Sequence, residues 1–380
     1  MATETRAAVP VEAIASAAAT VDRAGRFPTE AVAELTRSGL LGLGLPERHG
    51  GLAAGPLEVV GAVEQVAGAC ASTGMVFVMH LVAAQTLLAG TDDQEEGPKG
   101  EALRAMARGE HLSTLAYSER GSRGHFWAQV SRARENADGV VIDADKTWAT
   151  SAGHVASYVL ATGAPGEEDP FRTELYLVDA DAPGVEVRGR FDGLGLRGNA
   201  SAPLRVRGLR VGGDRRLGAP ASGFALMMSA TLPWFALGSA ACSVGIAQAA
   251  LDAACAHATG ASFEHLAGAA LADVPGVRAR LARAYLRVRE ARALLHEAAR
   301  HVAEGHPAAQ LGVLAVKASA AEAAVEVTDL ALRVGGGAAY SRRGPIERHF
   351  RDARAASVMA PTTDLLHDFL GKALTGRELL

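Results

Sequence analysis

Apolar residues recur at three- and four-residue steps between residues 11 and 108, which is the spacing of one face of an α-helix. The stretch 55–88 is nearly all apolar and is broken at Ser72-Thr73-Gly74. Helices that are apolar on most sides lie buried inside a protein. The first part of the chain is therefore predicted to be a helical domain with buried central helices.

The apolar spacing shortens to two between residues 112 and 211, as in GVVIDADKTWAT and TELYLVDA. Gly, Pro, Asp and Asn separate these runs, and alternation bounded by such residues is typical of β-strands. The helical period returns after residue 221 in four Ala- and Leu-rich runs, at 224–259, 277–304, 308–334 and 362–374.

This order predicts an α+β multi-domain protein. We expect an N-terminal α-helical domain, a middle β-barrel or β-sandwich domain and a C-terminal four-helix bundle, over residues 1–111, 112–219 and 220–380.

Composition narrows the class of protein. Of the 380 residues 49% are hydrophobic, enough for a substantial core, and the formal net charge is −4. The basic run Arg205-Val-Arg207-Gly-Leu-Arg210 lies in a strand-and-turn pattern without interleaved aromatic residues. We therefore predict no nucleic-acid partner.

The three cysteines, Cys70, Cys242 and Cys255, lack metal-ligand spacing and lie in apolar helical runs. We predict buried thiols in a reducing cytoplasm and no metal site. The start shows no charged segment followed by an apolar one, and we expect no apolar run to reach the roughly 18 residues of a membrane span. The predicted location is the cytoplasm, without membrane contact.

One short motif suggests a dinucleotide site. Gly193-Leu-Gly195-Leu-Arg-Gly198 fits G-x-G-x-x-G, but it lies between β-like runs and opens no helix. The motif binds a dinucleotide only between a strand and a helix, so chance or a tight turn is the better interpretation.

Six segments spread over nearly the whole chain carry a more specific signal: LGLPERHGGL, VEQVAGACASTGMVFVMH, LAYSERGSRG, KTWATSAGHVASYVLATG, GLRGNAS and GPIERHFRDAR. In this order they resemble the motifs of the acyl-CoA dehydrogenase superfamily. LAYSERGSRG resembles its flavin-contacting T-E-P-x-A-G-S segment, and KTWATSAG resembles its K-x-W-I-T-N strand. The resemblance implies an α–β–α fold, a bound flavin and an acyl thioester substrate.

The superfamily's chemistry removes a proton α to the thioester with a Glu base and passes a hydride to the flavin, and such a base contributes about 10² to 10⁴ in rate. In most members that Glu lies nine residues after the Arg of R-D-A, and the count from Arg351 reaches Ala360. In others it lies thirteen residues before a Gln, and the count back from Gln248 reaches Phe235. Both usual base positions are therefore predicted to lack a carboxylate.

The substrate pocket is predicted to be correspondingly apolar. Side chains that orient an acyl-CoA in other members correspond here to Pro233 and Ala236, which flank Trp234 and Phe235. Together with Ala360, Trp234 and Phe235 form the predicted substrate pocket.

The resemblance also assigns the flavin site. The residues expected at the flavin ring are Tyr117, Ser118, Trp148 and Thr150. The phosphate end differs from the family pattern, because the segment 257–268 has no arginine, Gly124 replaces a serine, and Arg333 replaces a glutamine. Arg333 is predicted to hold phosphate itself. The predicted cofactor is FAD, with FMN or no flavin as alternatives.

Three hypotheses for function follow. The first is an atypical flavin-dependent oxidoreductase that acts on an acyl-CoA or an acyl-carrier protein with another base. The titratable candidates are His125, His154, Tyr340, Asp364 and His367, of which we retain His125 and His367 as weak candidates for the base.

The second hypothesis is a monooxygenase of the same fold that receives reduced flavin, FMNH₂ or FADH₂, from a separate reductase. The loss of the base and of the adenylate clamp would both follow if the cofactor were FMN. The histidine that some such enzymes carry soon after R-D is absent, since no His follows Asp352 before His367.

The third hypothesis is a non-redox enzyme or binding protein that has lost flavin, in which Arg120 and Arg123 crowd the phosphate loop or create a new anion site. We favour the first hypothesis. The apolar C-terminal helices need cover, so a homodimer or homotetramer is predicted.

Overall fold

The computed structural model describes residues 7–91 and 96–379. Its N-terminal part is helical, and two short 3-10 turns, Leu40–Gly42 and Glu47–His49, lie between the second and third helices. The helices are α1 Val11–Ala24, α2 Thr29–Arg37, α3 Pro56–Ala69, α4 Ala71–Ala89 and α5 Pro98–Ala107.

Eight strands follow and form two four-stranded sheets, in the orders β1-β4-β5-β8 and β2-β3-β7-β6. Only the β1–β4 pair among these strands is parallel. The strands are β1 Ser113–Ala116, β2 Arg134–Asn136, β3 Gly139–Ala149, β4 Ser157–Gly163, β5 Thr173–Asp179, β6 Val185–Val187, β7 Ala202–Gly212 and β8 Arg216–Leu217.

The two sheets differ in how they are covered. Every residue of β4 is buried, whereas β7 alternates between buried and exposed positions over most of its length. One face of the first sheet, with Tyr158 and Tyr176, packs on the second sheet. The opposite face, with Val159 and Leu177, packs on the helices. The first sheet is thus the central layer between the second sheet and the helical parts, which explains its continuous apolar runs.

The C-terminal part is again helical. Its central helix is α7 Leu232–Gly260, which packs on α3, α4, α8 and α9. The remaining elements are α6 Gly223–Leu226, a π-helical segment Met227–Thr231, a hairpin of β9 Ser262–Phe263 and β10 Ala269–Ala270, α8 Pro275–Glu304, α9 Ala309–Ala339, α10 Ile346–Asp352, α11 Ala355–Val358 and α12 Thr363–Leu374.

The predicted fold class is confirmed: helical N- and C-terminal parts enclose a middle part built from strands. The four predicted C-terminal runs correspond to α7, α8, α9 and α12, while α10, α11 and the β9–β10 hairpin were not predicted. The proposed boundaries at 111/112 and 219/220 fall just before β1 and between β8 and α6.

The expectation that no apolar run reaches the length of a membrane span is wrong. Within the described residues, the helices Ala71–Ala89 and Gly223–Gly260 are both long and apolar enough, but 89% and 78% of their apolar windows are buried in the fold. Both helices are apolar because protein surrounds them. The thiol expectation also needs correction, because Cys255 is only half-buried while Cys70 and Cys242 are buried.

Candidate active site

A cavity of about 550 Å³ lies where the middle part meets the C-terminal helices. Its walls come from the loop after β1, the end of β3, the loop before β7, the start of α7 and the segment around Ala360. The predicted site residues that line it are Tyr117, Ser118, Trp148, Thr150, Phe235 and Ala360. The structure therefore brings most of the predicted flavin and substrate residues to one place.

A buried ion pair anchors the loop that follows β1. Lys146 Nζ donates to Glu119 Oε1 at 2.7 Å and to Gln129 Oε1 at 2.9 Å. Glu119 Oε2 also accepts the Ser131 backbone N–H at 2.8 Å. Burial opposes ionisation of the Glu119 carboxyl, but the Lys146 ammonium and the Ser131 donors hold its pKa below the ordinary value. The pair fixes the position of Ser118, the neighbour of Glu119.

A β-bulge explains the orientation of Trp148. Lys146 pairs with Leu204 and Ala149 pairs with Ala202, so the register of β3 shifts by one residue between them. Lys146 and Ala149 are both buried, and Trp148 is left 66% exposed in the cavity wall with a φ of 54°. Bulges of this kind redirect a side chain next to a functional site.

The loop before β7 is held by polar contacts on both sides. Thr150 Oγ1 lies 3.2 Å from Ser201 Oγ, and the Leu196 N–H donates to Asp352 Oδ1 at 2.7 Å. A Cβ at Gly195 would lie 2.4 Å from the Arg351 carbonyl oxygen, so only glycine fits there. The G-x-G-x-x-G segment thus lies between β6 and β7, and its second glycine packs against α10.

The cavity wall formed by α7 and the segment around Ala360 carries no carboxylate at either usual base position. Phe235 and Ala360 line the cavity together with Met359. Behind this wall the buried Lys317 ammonium donates to the carbonyl oxygens of Met359 at 3.0 Å and Pro361 at 2.7 Å. Burial without a carboxylate partner lowers the pKa of Lys317 to about 7. Lys317 therefore supports the turn that contains Ala360.

Tyr117 is a buried titratable side chain in the cavity wall. Its hydroxyl lies 3.3 Å from Thr231 Oγ1, which lies 2.9 Å from Thr86 Oγ1. Burial raises the pKa of Tyr117, so the phenol stays protonated near neutral pH and can donate a hydrogen bond but not accept a proton.

Trp234, Arg333, His125 and His367 lie outside the cavity lining, and so do the other titratable candidates, His154, Tyr340 and Asp364. Trp234 is half-buried next to the lining residue Phe235. The Arg333 side chain on α9 is 58% exposed, and its Nη1 lies 3.9 Å from Asp329 Oδ2. His125 is exposed, and its ring centroid lies 5.3 Å from that of Trp127. His367 lies on α12, where its Nε2 is 3.3 Å from Glu322 Oε1. Neither histidine lines the cavity, and their roles stay predictions.

The structure adds Glu119, Lys146, Lys317 and Thr231 to the predicted set. Glu119 and Lys146 lie inside the two motifs quoted for the flavin site, and Lys146 continues the period-two series of buried Ile142 and Ala144 along β3, which was an available signal. Lys317 is the single charged residue in the apolar run VLAVKASAA. Nothing local marked Thr231, because its role depends on contacts with Thr86 and Tyr117, both more than 100 positions earlier in the chain.

The lining fits a flat, mostly apolar ring with polar edges. The indole of Trp148 is two-thirds exposed, so it offers a large aromatic face on which a flat ring can stack. The Ser118 and Thr150 hydroxyls lie along the same cavity and supply polar contacts. Among the described residues no group of three or more His, Cys, Asp or Glu side chains is placed to hold a metal ion.

The family model for the acyl-CoA dehydrogenase N-terminal domain matches residues 1–110, and that for the C-terminal domain matches residues 221–375. The chain is 30% identical over 350 residues to the mitochondrial short-chain specific acyl-CoA dehydrogenase of Bos taurus, covering 92% of this chain and 83% of that protein. The chain belongs to the acyl-CoA dehydrogenase family, whose members bind flavin.

Two solved structures show the same fold. The prolyl acyl carrier protein oxidase AnaB has a TM-score of 0.86 at 20% identity, covering 96% of this chain and 97% of that one. FMN-bound TdsC from Paenibacillus sp. A11-2 has a TM-score of 0.86 at 23% identity, covering 96% of this chain and 95% of that one.

Proposed function

We propose that the protein is a flavin-dependent oxidoreductase that oxidises an acyl thioester, carried by CoA or a carrier protein, without a carboxylate at either usual base position. The observation that carries the proposal is one cavity of about 550 Å³ lined both by the ring-facing residues Ser118, Trp148 and Thr150 and by Phe235 and Ala360. Family membership and the carrier-protein substrate of the fold neighbour AnaB support this choice.

Flavin bound in this cavity would supply the hydride acceptor. The residues of this chain hold and orient it: Trp148 presents an exposed aromatic face, and the Ser118 and Thr150 hydroxyls offer polar contacts. The buried Glu119–Lys146 pair keeps Ser118 in place. Phe235 and Met359 add apolar side chains to the cavity wall.

The absence of a base restricts the substrate. Of the carboxylates in the described residues, only Glu119 lines the cavity, and it is engaged with Lys146 and Ser131. Tyr117 remains protonated, because burial raises its pKa. The substrate must therefore carry an easily lost α-proton or react without proton removal by a side chain. A thioester whose α-proton is more acidic than that of a simple acyl-CoA, and whose β-carbon still carries hydrogen for hydride transfer, meets this condition. An alkylmalonyl or amino-acyl thioester is of this kind.

The experiment is anaerobic mixing of the flavin-loaded protein with a panel of acyl thioesters. The panel contrasts butyryl-CoA with alkylmalonyl and amino-acyl thioesters, each on CoA and on a carrier protein. The proposal predicts loss of the flavin's visible absorbance with activated thioesters and little change with butyryl-CoA. No change with any thioester, while dithionite still bleaches the flavin, would contradict it.

A second candidate is a monooxygenase that uses reduced flavin from a separate reductase. The observation in its favour is the wall formed by Phe235, Met359 and Ala360, which suits a substrate that needs no deprotonation. The fold neighbour TdsC, which binds FMN, lends support. Oxygen uptake that requires an added flavin reductase and NADH, and that leaves oxygen in a product, would favour this function over the first.

A further inference from the structure

Two arginines on the loop after β1 extend the cavity beyond the ring-facing residues. Arg120 and Arg123 both line it, and both side chains are exposed. Within residues 7–91 and 96–379, neither guanidinium forms a hydrogen bond or an ion pair with another side chain. Each therefore offers its full set of donors to whatever enters the cavity.

The carboxylates nearest to the two arginines are already engaged. Glu119, the neighbour of Arg120, pairs with Lys146 and is almost fully buried. Asp145, whose charge reaches Arg120, accepts two hydrogen bonds from Arg207 Nη2 at 2.9 and 2.7 Å. This end of the cavity is therefore positively charged, which favours an anionic group.

The backbone of the same loop is open toward the cavity. Gly121 has a φ of 102°, and Arg123 holds a φ of 42°, a left-handed conformation that costs a non-glycine residue about 1 kcal/mol or more. A Cβ at Gly124 would meet only the Thr362 methyl, at 3.8 Å. The loop thus presents both guanidinium groups and uncrowded backbone to the same space.

We propose that Arg120 and Arg123 form the subsite that holds the flavin phosphate within this subunit. The proposal rests on the proposed function, which places a flavin in the cavity. A guanidinium matches a phosphate with two parallel N–H···O bonds, and such bonds are charge-assisted. The shared ligand chemistry is a phosphate ester beside the ring system, supplied either by the monophosphate of FMN or by the diphosphate of FAD.

The test measures binding, not turnover. Full-length protein freed of flavin is titrated with riboflavin, FMN and FAD, followed by quenching of flavin fluorescence. The variants are Arg120→Ala, Arg123→Ala, the double alanine variant and the double lysine variant, which keeps the charge. Arg134→Ala is the matched control, because Arg134 is exposed on β2, pairs with Asp143 and does not line the cavity.

Each single variant should weaken FMN or FAD binding about 10-fold, and the double alanine variant about 100-fold, with partial recovery in the double lysine variant. Riboflavin affinity should change less than about twofold, because riboflavin has no phosphate. A larger loss for FMN than for FAD assigns the subsite to the monophosphate, and the reverse assigns it to the diphosphate. Added salt should weaken FMN or FAD binding in the wild type more than in the double alanine variant.

Unchanged FMN and FAD affinity in the double alanine variant would overturn the subsite while leaving the proposed function intact. An equal loss for riboflavin would also overturn it, since the arginines would then support the ring or the fold. Failure of the wild-type protein to bind any of the three flavins would instead refute the proposed function itself.

Discussion

At the scale of single residues, the protein buries several titratable side chains whose protonation the fold opposes. His80 is fully buried in α4, where its Nδ1 accepts the Ser113 N–H at 3.2 Å and its Nε2 lies 2.9 Å from the Leu41 carbonyl oxygen. Nδ1 is therefore the acceptor, and Nε2–H is the donor. Burial lowers the pKa of His80 from 6.5 to about 4.

Protonation of His80 should make the folded state lose stability in acid. Between pH 6.5 and 4 the unfolded chain binds a proton that the folded protein does not, so stability from this group falls as the pH decreases through that window. We expect the free energy of unfolding to drop between pH 7 and 4.5 by about 2 kcal/mol more in the wild type than in His80→Gln. Urea denaturation at both pH values measures this, and equal pH slopes in the two proteins would refute the assignment.

Ala360 is the residue at which the missing base is tested most directly. Ala360→Glu returns a carboxylate to the cavity wall, so an acyl-CoA held in the usual pose should be oxidised faster by about 10² to 10⁴. Anaerobic flavin bleaching by butyryl-CoA measures the gain. Ala360→Gln is the matched control, similar in size but unable to accept the proton. No gain in the Glu variant would mean that the remodelled wall around Phe235 no longer holds an acyl-CoA in that pose.

At the scale of elements, the active-site loop depends on the buried pair between Glu119 and Lys146. Lys146→Met leaves the Glu119 charge buried without its partner, so we expect a loss of about 3 to 5 kcal/mol in the free energy of unfolding. The double variant Glu119→Gln/Lys146→Met should recover a large part of this loss, as a double-mutant cycle by urea denaturation would show.

The exposed pair of Arg134 and Asp143 provides the comparison for that cycle. Arg134→Ala should cost less than about 1 kcal/mol, because solvent screens an ion pair on the surface. Similar losses in Arg134→Ala and Lys146→Met would mean that the Glu119–Lys146 pair does not anchor the loop.

The elements also show what a sequence can and cannot reveal. The long helices α7, α8, α9 and α12 were predictable from the sequence. Each repeats apolar residues over several turns, so the helical period stands out even where single positions depart from it. The short α10 and α11 and the β9–β10 hairpin span too few residues for a period to emerge.

The candidate site also contains residues that the sequence could predict and features that it could not. Ser118, Trp148 and Thr150 were assigned by motif, and the structure places all three on one cavity. The orientation of Trp148 was not predictable, because it depends on a one-residue register shift between β3 and β7. The support of the Ala360 turn by Lys317 was hidden as well, since the two residues lie far apart in the chain.

At the scale of the whole molecule, we still predict a homodimer or homotetramer formed through the C-terminal helices. Tyr285 and Leu286 are adjacent on α8 and are 54% and 57% exposed, and Tyr340 after α9 is 81% exposed. Adjacent exposed apolar side chains on one helix favour an interaction surface there. Light scattering after gel filtration should give a mass of two or four times the 39.1 kDa of one chain.

Leu286→Glu should shift that mass toward the monomer, because a charge would be buried without a partner at the interface. Ala303→Glu, at an exposed position near the end of α8 and about 100° around the helix from Leu286, gives the comparison within the same helix. A wild-type mass of 39.1 kDa would contradict the oligomer.

The central claim is that the cavity between the β part and the C-terminal helices holds a flavin. The most direct measurement is the visible spectrum of the purified protein before and after reconstitution with FAD and FMN, oxidised and reduced, with the cofactor identified after denaturation. The account predicts about one flavin per subunit in the wild type and markedly weaker binding in Trp148→Ala. A wild-type protein that binds none of these flavins would contradict it.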